Sequence, residues 1–403
     1  MTQRVKRQRL SDPEGSHEPP ATMLDKTKWN GFCEIESEPA LFNVMLREFG
    51  VKGVKVQEVV SLDEEMMAFL KKPIYGLIFL FRWREDDSEQ QEASCPDGIW
   101  FANQTASNAC ASVALLNIVN NIPGIDLGEN LHHFKDFTMP FTPALRGDAI
   151  NNFEFVKRIH NSFARKMDIL SSDFQLKAEA TAKKPRSKGL EMNESDSTFH
   201  FIAFMPAMGQ LWKFDGLERQ PQALGECSDD DWLEVAKPNI LTRMAAYEVD
   251  QIEFSILGLV RDPLPDLVHQ LAVNVRSLEI LNERALSLQD TDPAGSDPAA
   301  VVLKETVLGP DSSLSLTREA IDAALVLEEA RAQYQAGSAD QLRQHQQELS
   351  NAQRGLRERI REEQQSQWAD DDHAAGRRHD YGPAVRTWLQ FLARKQLLEV
   401  LHE

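Results

Sequence analysis

Along this chain the spacing of apolar positions changes repeatedly, and each change marks an element. In PALFNVMLREFG a proline opens and a glycine closes a helical stretch. SLDEEMMAFLKK reads as a short second helix with Ser61 as its cap, and the dense apolar run YGLIFLFRW as a central strand. IWFANQ predicts a short strand. From Ala109 onward, Ala111, Ala114, Leu115, Ile118 and Val119 recur at three- and four-residue spacing, a helix that Ser107 or Asn108 is placed to cap. The longest helix is expected over 151–168, with Phe155, Ile159 and Phe163 on one face. FHFIAFMPAMGQLWKFDG has two apolar runs around a small-residue turn, which is hairpin-like. A helix around DDDWLEVAKPNI, interrupted at Pro238, and a last strand in IEFSILGLV complete a domain of mixed helices and strands over 28–262, α/β or α+β in class.

Beyond Arg261 the pattern is helical. Leu264, Val268, Leu271, Val275 and Leu278 form a stripe over a helical extension at 263–288. A break rich in Gly, Pro, Ser and Asp opens the next segment, 289–367, whose Gln/Glu/Arg-rich part is either coiled coil or a solvated helix. The last segment, 368–403, ends on an apolar face of Val385, Trp388, Leu389, Leu392 and Leu398 that needs a surface to cover it.

Composition narrows the class. The 403 residues suggest two or three domains with a substantial core. The 44 basic and 63 acidic residues give a formal charge of -19, a surface that repels nucleic acid and suits a basic partner. No apolar run approaches a membrane span, and no signal-peptide core opens the chain, so no membrane partner is expected. Residues 1–27 read as a disordered lead-in; its VKRQRL is a short basic cluster, open to reading as an import signal or as an ordinary solvated tail. The charged stretch 165–197, with Lys177, Lys183, Lys184, Arg186 and Lys188, reads as a long mobile loop. The four cysteines, Cys33, Cys95, Cys110 and Cys227, lack CxxC spacing; a zinc site and a disulfide framework are both unsupported, and a reducing compartment is implied.

Candidate chemistry centres on Cys110. A thiol at a helix start lies among unpaired amides and the positive end of the helix dipole, which favour thiolate; a buried structural thiol is the competing reading. A nucleophilic cysteine needs a base and a group to orient that base. His200, just past the long loop at a strand start, and Asp215, after the hairpin turn, can meet across adjacent strands. Separately, each also fits an ordinary role, His200 as a bonded core histidine and Asp215 as a turn residue before Gly216. Gln104, six residues before the thiol, can donate its side-chain amide to an oxyanion or simply bond the loop backbone.

GFCEIESEPALFNVMLREFG, YGLIFLFRW, FANQTASNACASVALLNIVN, KRIHNSFAR, FHFIAFMP and LWKFDGLERQP, in this order, resemble the ubiquitin C-terminal hydrolase family of cysteine peptidases, and within it the long subgroup with a C-terminal helical extension. The resemblance covers nearly all of 28–262. It implies an α+β, papain-like fold with a mainly antiparallel central sheet, no cofactor or metal, a ubiquitin substrate, and a crossover loop at 165–197 above the cleft. By motif, Cys110 is the nucleophile, His200 the base and acid, Asp215 its orienting partner and Gln104 the oxyanion stabiliser. An acidic surface suits the arginines near ubiquitin's C-terminus, with Glu34, Glu36 and Glu38 as candidates. RRHDYGPAVRTWLQFLARKQLLEVLHE resembles the subgroup's short C-terminal motif, which implies docking of a helical adaptor domain of a proteasomal or chromatin-associated complex through Trp388, Leu392 and Arg386. A terminal helix packed on residues 264–286 of its own chain is the alternative. A ubiquitin-binding scaffold without catalysis is the rival function, and cytoplasm or nucleus the expected location.

Overall fold

The computed structural model describes residues 29–82, 92–165, 168–169, 199–248, 254–289 and 306–394. The expected lead-in at 1–27, almost all of the expected loop at 165–197, and Leu398 lie outside the described residues.

Six strands form one antiparallel sheet: β1 (Val54–Glu58), β2 (Ile74–Arg82), β3 (Phe199–Ala207), β4 (Gln210–Phe214), β5 (Gln222–Glu226) and β6 (Ser255–Arg261), in the order β1-β6-β2-β3-β4-β5. Against one face pack α1 (Pro39–Phe49) and α3 (Cys110–Val119), meeting Ile78, Phe201, Ala203, Met205 and Leu257. Against the other packs α7 (Trp232–Glu248), with Trp232 and Ile240 meeting Leu77, Phe79, Phe81, Ile202, Phe204 and Ile256. Successive side chains of a strand point to opposite faces, so β2 and β3 are apolar at nearly every position, His200 and Arg82 apart, because both faces are covered. The class is α+β, with helices around an antiparallel sheet and a helical C-terminal region.

The hairpin forms as expected. Met208 (φ 54°) and Gly209 (φ 75°) make its two-residue turn, the paired positive φ that matches strand twist. Its register sets Ala203 opposite Phe214, so Asp215 leaves β4 beside the start of β3, near His200. The edge strand β1 is sealed by a buried side chain: Asn43 of α1 accepts from Val56 N–H at 2.6 Å and donates to Val56 O at 3.1 Å.

Several elements differ from the pattern reading. IWFANQ forms no strand. Its backbone pairs with asparagine side chains of the cysteine helix and the residues after it: Ala102 N–H with Asn117 Oδ1 (2.8 Å), Trp100 N–H with Asn121 Oδ1 (2.8 Å), and the two amide groups back to Ala102 O and Trp100 O. The helix expected over 151–168 is shorter. After α2 (Glu64–Met67), α3 and α4 (Gly128–Thr138), α5 (Pro143–Asn151) stops at Asn151 and α6 (Glu154–Asn161) follows, with Phe163 buried beyond its end. Ser61 does not cap α2; it donates to Asp63 at 2.6 Å, and Asp63 is the residue at the helix start. α7 continues through Pro238, while Asn239 and Thr242 bond back to the carbonyls of Val235 and Pro238. The expectations had no strand at β5, an edge strand of mixed composition.

The helical region beyond β6 folds back on the sheet domain. After α8 (Leu264–Gln289) come α9 (Arg318–Ala323), α10 (Glu328–Ala336), α11 (Ala339–Arg378) and α12 (Gly382–Arg394). α11 is 40 residues long, about 60 Å at the α-helical rise, and runs without a break across the expected boundary at 367. It lies antiparallel to α8: Gln353, buried, bonds Asn274 Oδ1 (3.1 Å) and both backbone groups of Val307, and Gln346 reaches Asn282. Its apolar positions are few, but Ile360 is fully buried against Leu267, Leu271 and Leu316. Its last turns cross α1, where Ala374 joins the main core and a set of ion pairs closes the contact. These are Lys55–Glu363 (2.9 Å), Arg47 with Asp370 and Asp371, Arg377 with Glu36 (3.1 Å) and Asp168 (2.8 Å), and Arg378 with Glu48 (2.8 Å). Residues 264–286 therefore pack on α11, and α12 has no buried residue. Trp388 on α12 is 54% exposed, with Arg386 and Leu392 half-exposed.

Candidate active site

Cys110 is the first residue of α3 and is half-buried. Neither Ser107 nor Asn108 caps the helix: Ala109 occupies the cap position with no side-chain bond, and Asn108 turns the chain at φ 60°. An uncapped start keeps the first-turn amides for an anion at the thiol.

The approach loop is held rigidly. Gln104 N–H donates to Gly216 O at 2.8 Å, Asn103 N–H to Pro143 O at 3.0 Å, and Asn103 Nδ2 to Glu218 O at 2.6 Å. These bonds place Gln104 beside the turn that follows Asp215. Its side-chain oxygen is buried and has no hydrogen-bond partner among the described residues. Gly147 of α5 lets the loop pass, because a Cβ there would stand 2.2 Å from Asn103 O. Behind the loop lies a residue the sequence reading did not single out. Arg146, buried, donates to the carbonyls of Ile99 and Phe101 (3.2 Å each), Thr138 (3.1 Å) and Met139 (2.5 Å). Two of these carbonyls belong to the segment that has no strand partner, and the other two close the C-terminal end of α4. Its position in a short helix carried no signal of that task.

His200 and Asp215 meet as expected across the strand ends. His200 Nε2 lies 2.7 Å from Asp215 Oδ1, and both residues are buried. A carboxylate only accepts, so Nε2 carries the proton and Nδ1 faces Cys110, which also hydrogen-bonds the ring. Burial would lower the imidazole pKa, but the bonds to Asp215 and Cys110 and their charges outweigh it and raise it to about 9. Burial would likewise raise the Asp215 carboxyl; the His200 bond and charge, with Leu217 N–H at 2.9 Å, hold it below the usual carboxylate range. The stability His200 gains from this pairing is full below about 6.5 and is lost as pH rises through about 9. The structure thus assembles a thiol at a helix start, an imidazole poised as imidazolium, a buried carboxylate and an amide side chain on the adjoining loop.

The other cysteines lack this setting. Burial pushes the Cys33 thiol up to about 12, and burial likewise raises Cys95 and Cys227. All four thiols are free. Among the described residues no group of three or more His, Cys, Asp or Glu is arranged to hold a metal ion. Of the acidic residues considered for a basic partner, Glu36 is engaged by Arg377, while Glu34 is exposed.

Residues 32–245 match the sequence profile of the ubiquitin carboxyl-terminal hydrolase family 1. The ubiquitin carboxyl-terminal hydrolase isozyme L5 of Dictyostelium discoideum is 40% identical over 232 residues, 58% of this chain and 62% of that protein. The ubiquitin carboxyl-terminal hydrolase ubh-4 of Caenorhabditis elegans is 34% identical over 278 residues, 68% of this chain and 79% of that one. Among solved structures, the Trichinella spiralis UCH37 catalytic domain bound to ubiquitin vinyl methyl ester is 33% identical, covering 58% of this chain and 96% of that chain at a TM-score of 0.47.

Proposed function

Given that the chain belongs to ubiquitin carboxyl-terminal hydrolase family 1, a family of cysteine peptidases, we propose that it is a thiol-dependent deubiquitinase that hydrolyses amide, isopeptide and ester bonds at the C-terminal glycine of ubiquitin. Cys110 thiolate attacks the glycine carbonyl, and Gln104 with a first-turn amide of α3 stabilises the tetrahedral oxyanion. His200 imidazolium gives its proton to the departing amine. The neutral imidazole then takes a proton from water as it attacks the thioester, freeing ubiquitin. Asp215 holds the imidazole with Nε2 protonated throughout, and does not itself take up the proton. The observation that carries this reading is the buried His200–Asp215 pair, 2.7 Å apart, whose free ring nitrogen serves a thiol at a helix start.

The second partner in this proposal is a helical adaptor. Val385, Trp388, Leu389 and Phe391 of α12 are all at least 41% exposed, the apolar half of an amphipathic helix suited to docking in a groove, with Arg386 and Arg394 flanking it.

Release of a fluorogenic amine from the C-terminus of ubiquitin, and from that of a related modifier, tests the activity. Turnover of ubiquitin alone, abolished in a folded Cys110→Ala variant, is expected. A stable ubiquitin complex with no turnover would overturn hydrolysis in favour of a scaffold.

A further inference from the structure

Beneath the nucleophile runs a buried hydrogen-bond bridge that the reaction above does not use. Ser112, two residues after Cys110 in α3, is fully buried, and its Oγ lies 2.8 Å from His160 Nδ1. His160 Nε2 lies 2.7 Å from the carbonyl oxygen of Cys33. A carbonyl only accepts, so Nε2 carries the ring proton, Nδ1 is a bare acceptor, and the Ser112 hydroxyl donates to it. The imidazole has no exposure, with Phe32 edge-on at 4.9 Å, and burial lowers its pKa to about 4, so it stays neutral near pH 7. The far end is anchored too: Cys33 N–H donates to Asn161 Oδ1 at 3.1 Å, and Asn161 Nδ2 to Gly31 O at 2.9 Å.

We propose that His160 is a positioning residue for Cys110: through Ser112 it fixes the rotation of the first turn of α3, and with it the direction from which the thiol meets His200. The inference rests on the acyl-transfer reading and deepens it. Two features point this way. α3 begins without a side-chain cap, so the bond that would ordinarily orient its first turn is missing, and Ser112 supplies a lateral one in its place. Burying an imidazole and a hydroxyl is costly unless both are satisfied, and an aliphatic pair would fill the same space without that requirement. What the polar pair adds is direction, because a hydrogen bond weakens steeply off axis while apolar contact does not.

The test uses the full chain and three substitutions. His160→Leu removes both bonds, Ser112→Ala removes the donor alone, and His160→Gln restores one acceptor and one donor on a side chain of similar reach. For each, kcat and KM are measured on a fluorogenic ubiquitin C-terminal amide. The pH dependence of iodoacetamide alkylation is followed by mass on the peptide containing Cys110, well below the thermal midpoint. His160→Leu and Ser112→Ala are expected to lower kcat about 10- to 100-fold with KM within twofold, and to displace the alkylation profile; His160→Gln recovers most of both. Thermal destabilisation alone, with kcat and the alkylation profile within twofold of the native protein, would overturn the proposal. If His160→Leu does not fold, Ser112→Ala decides. A native protein that fails to turn over the ubiquitin amide would sink the reaction itself, and the alkylation profiles would still decide the bridge.

Discussion

Replacing Asp215 by asparagine removes a charge while keeping shape. In the native site Oδ1 accepts from both His200 Nε2 (2.7 Å) and Leu217 N–H (2.9 Å). The Leu217 amide can bond only to an oxygen, so the asparagine carbonyl is held where the carboxylate oxygen stood, its NH2 turned away from the imidazole. Nε2 remains protonated and the ring still presents Nδ1 to Cys110. The loss is therefore the difference between a charge-assisted and a neutral hydrogen bond, on the order of 2 kcal/mol and about 30-fold in rate. His200 has a pKa raised to about 9, so native activity is expected to fall as pH rises through that value and the imidazolium loses its proton. In Asp215→Asn this limb moves down toward the ordinary imidazole range. The assay is kcat/KM on a ubiquitin C-terminal amide from pH 5 to 10. A loss below threefold with the limb unmoved would refute the claim that Asp215 holds the imidazolium. A loss near 10⁴-fold would refute the pinning by Leu217, since it would mean an inverted tautomer.

Two further outcomes follow from packing and charge. Gly147→Ala sets a Cβ 2.2 Å from Asn103 O, a backbone atom that cannot yield cheaply. Overpacking of this kind costs about 1–3 kcal/mol, so a thermal midpoint several degrees lower and a larger loss of kcat are expected; native-like values of both would show that the loop adapts. Arg377→Gln breaks a guanidinium that is 7% exposed and joins Glu36 to Asp168. Both carboxylates can rehydrate, which limits the cost to about 1–2 kcal/mol. Urea unfolding at low and high salt checks it, and an unchanged midpoint at low salt would show the pairs to be inert.

The candidate site was legible because its members lie in short motifs at element ends: a thiol where helical spacing begins, a histidine where an apolar strand opens, an aspartate after a hairpin turn. The sheet was legible wherever both faces are covered, since β2 and β3 then contain almost no polar positions. Other parts gave no such signal. IWFANQ has a strand's composition, but Asn117 and Asn121 take its backbone groups, and a pairing between a loop and helix side chains leaves no periodicity. The cap expected at Ser107 or Asn108 is absent because the chain turns through Asn108 at φ 60° and leaves Ala109, which has no side-chain acceptor, at the cap position. The Gln-rich stretch leaves coiled coil and solvated helix undecided because its apolar stripe is sparse; in the fold Gln353, and Arg377 beyond it, bury polar groups that hydropathy counts as surface. His160 and Ser112 lie 48 residues apart, and only the fold brings them together.

The 60 Å reach of α11 gives a consequence for where this protein can be divided. A chain cut after residue 262 would keep Cys110, His200, Asp215 and Gln104, and lose a wall of the body that holds them. The niche filled by Ala374 would open beside α1, and Glu36, Glu48 and Asp168 would lose Arg377 and Arg378 as counter-charges. Arg47 and Lys55 would in turn be stranded without Asp370, Asp371 and Glu363. The last turns of α11 thus act as a keystone rather than an appendage, supporting from outside the same N-terminal stretch that His160 grips from within.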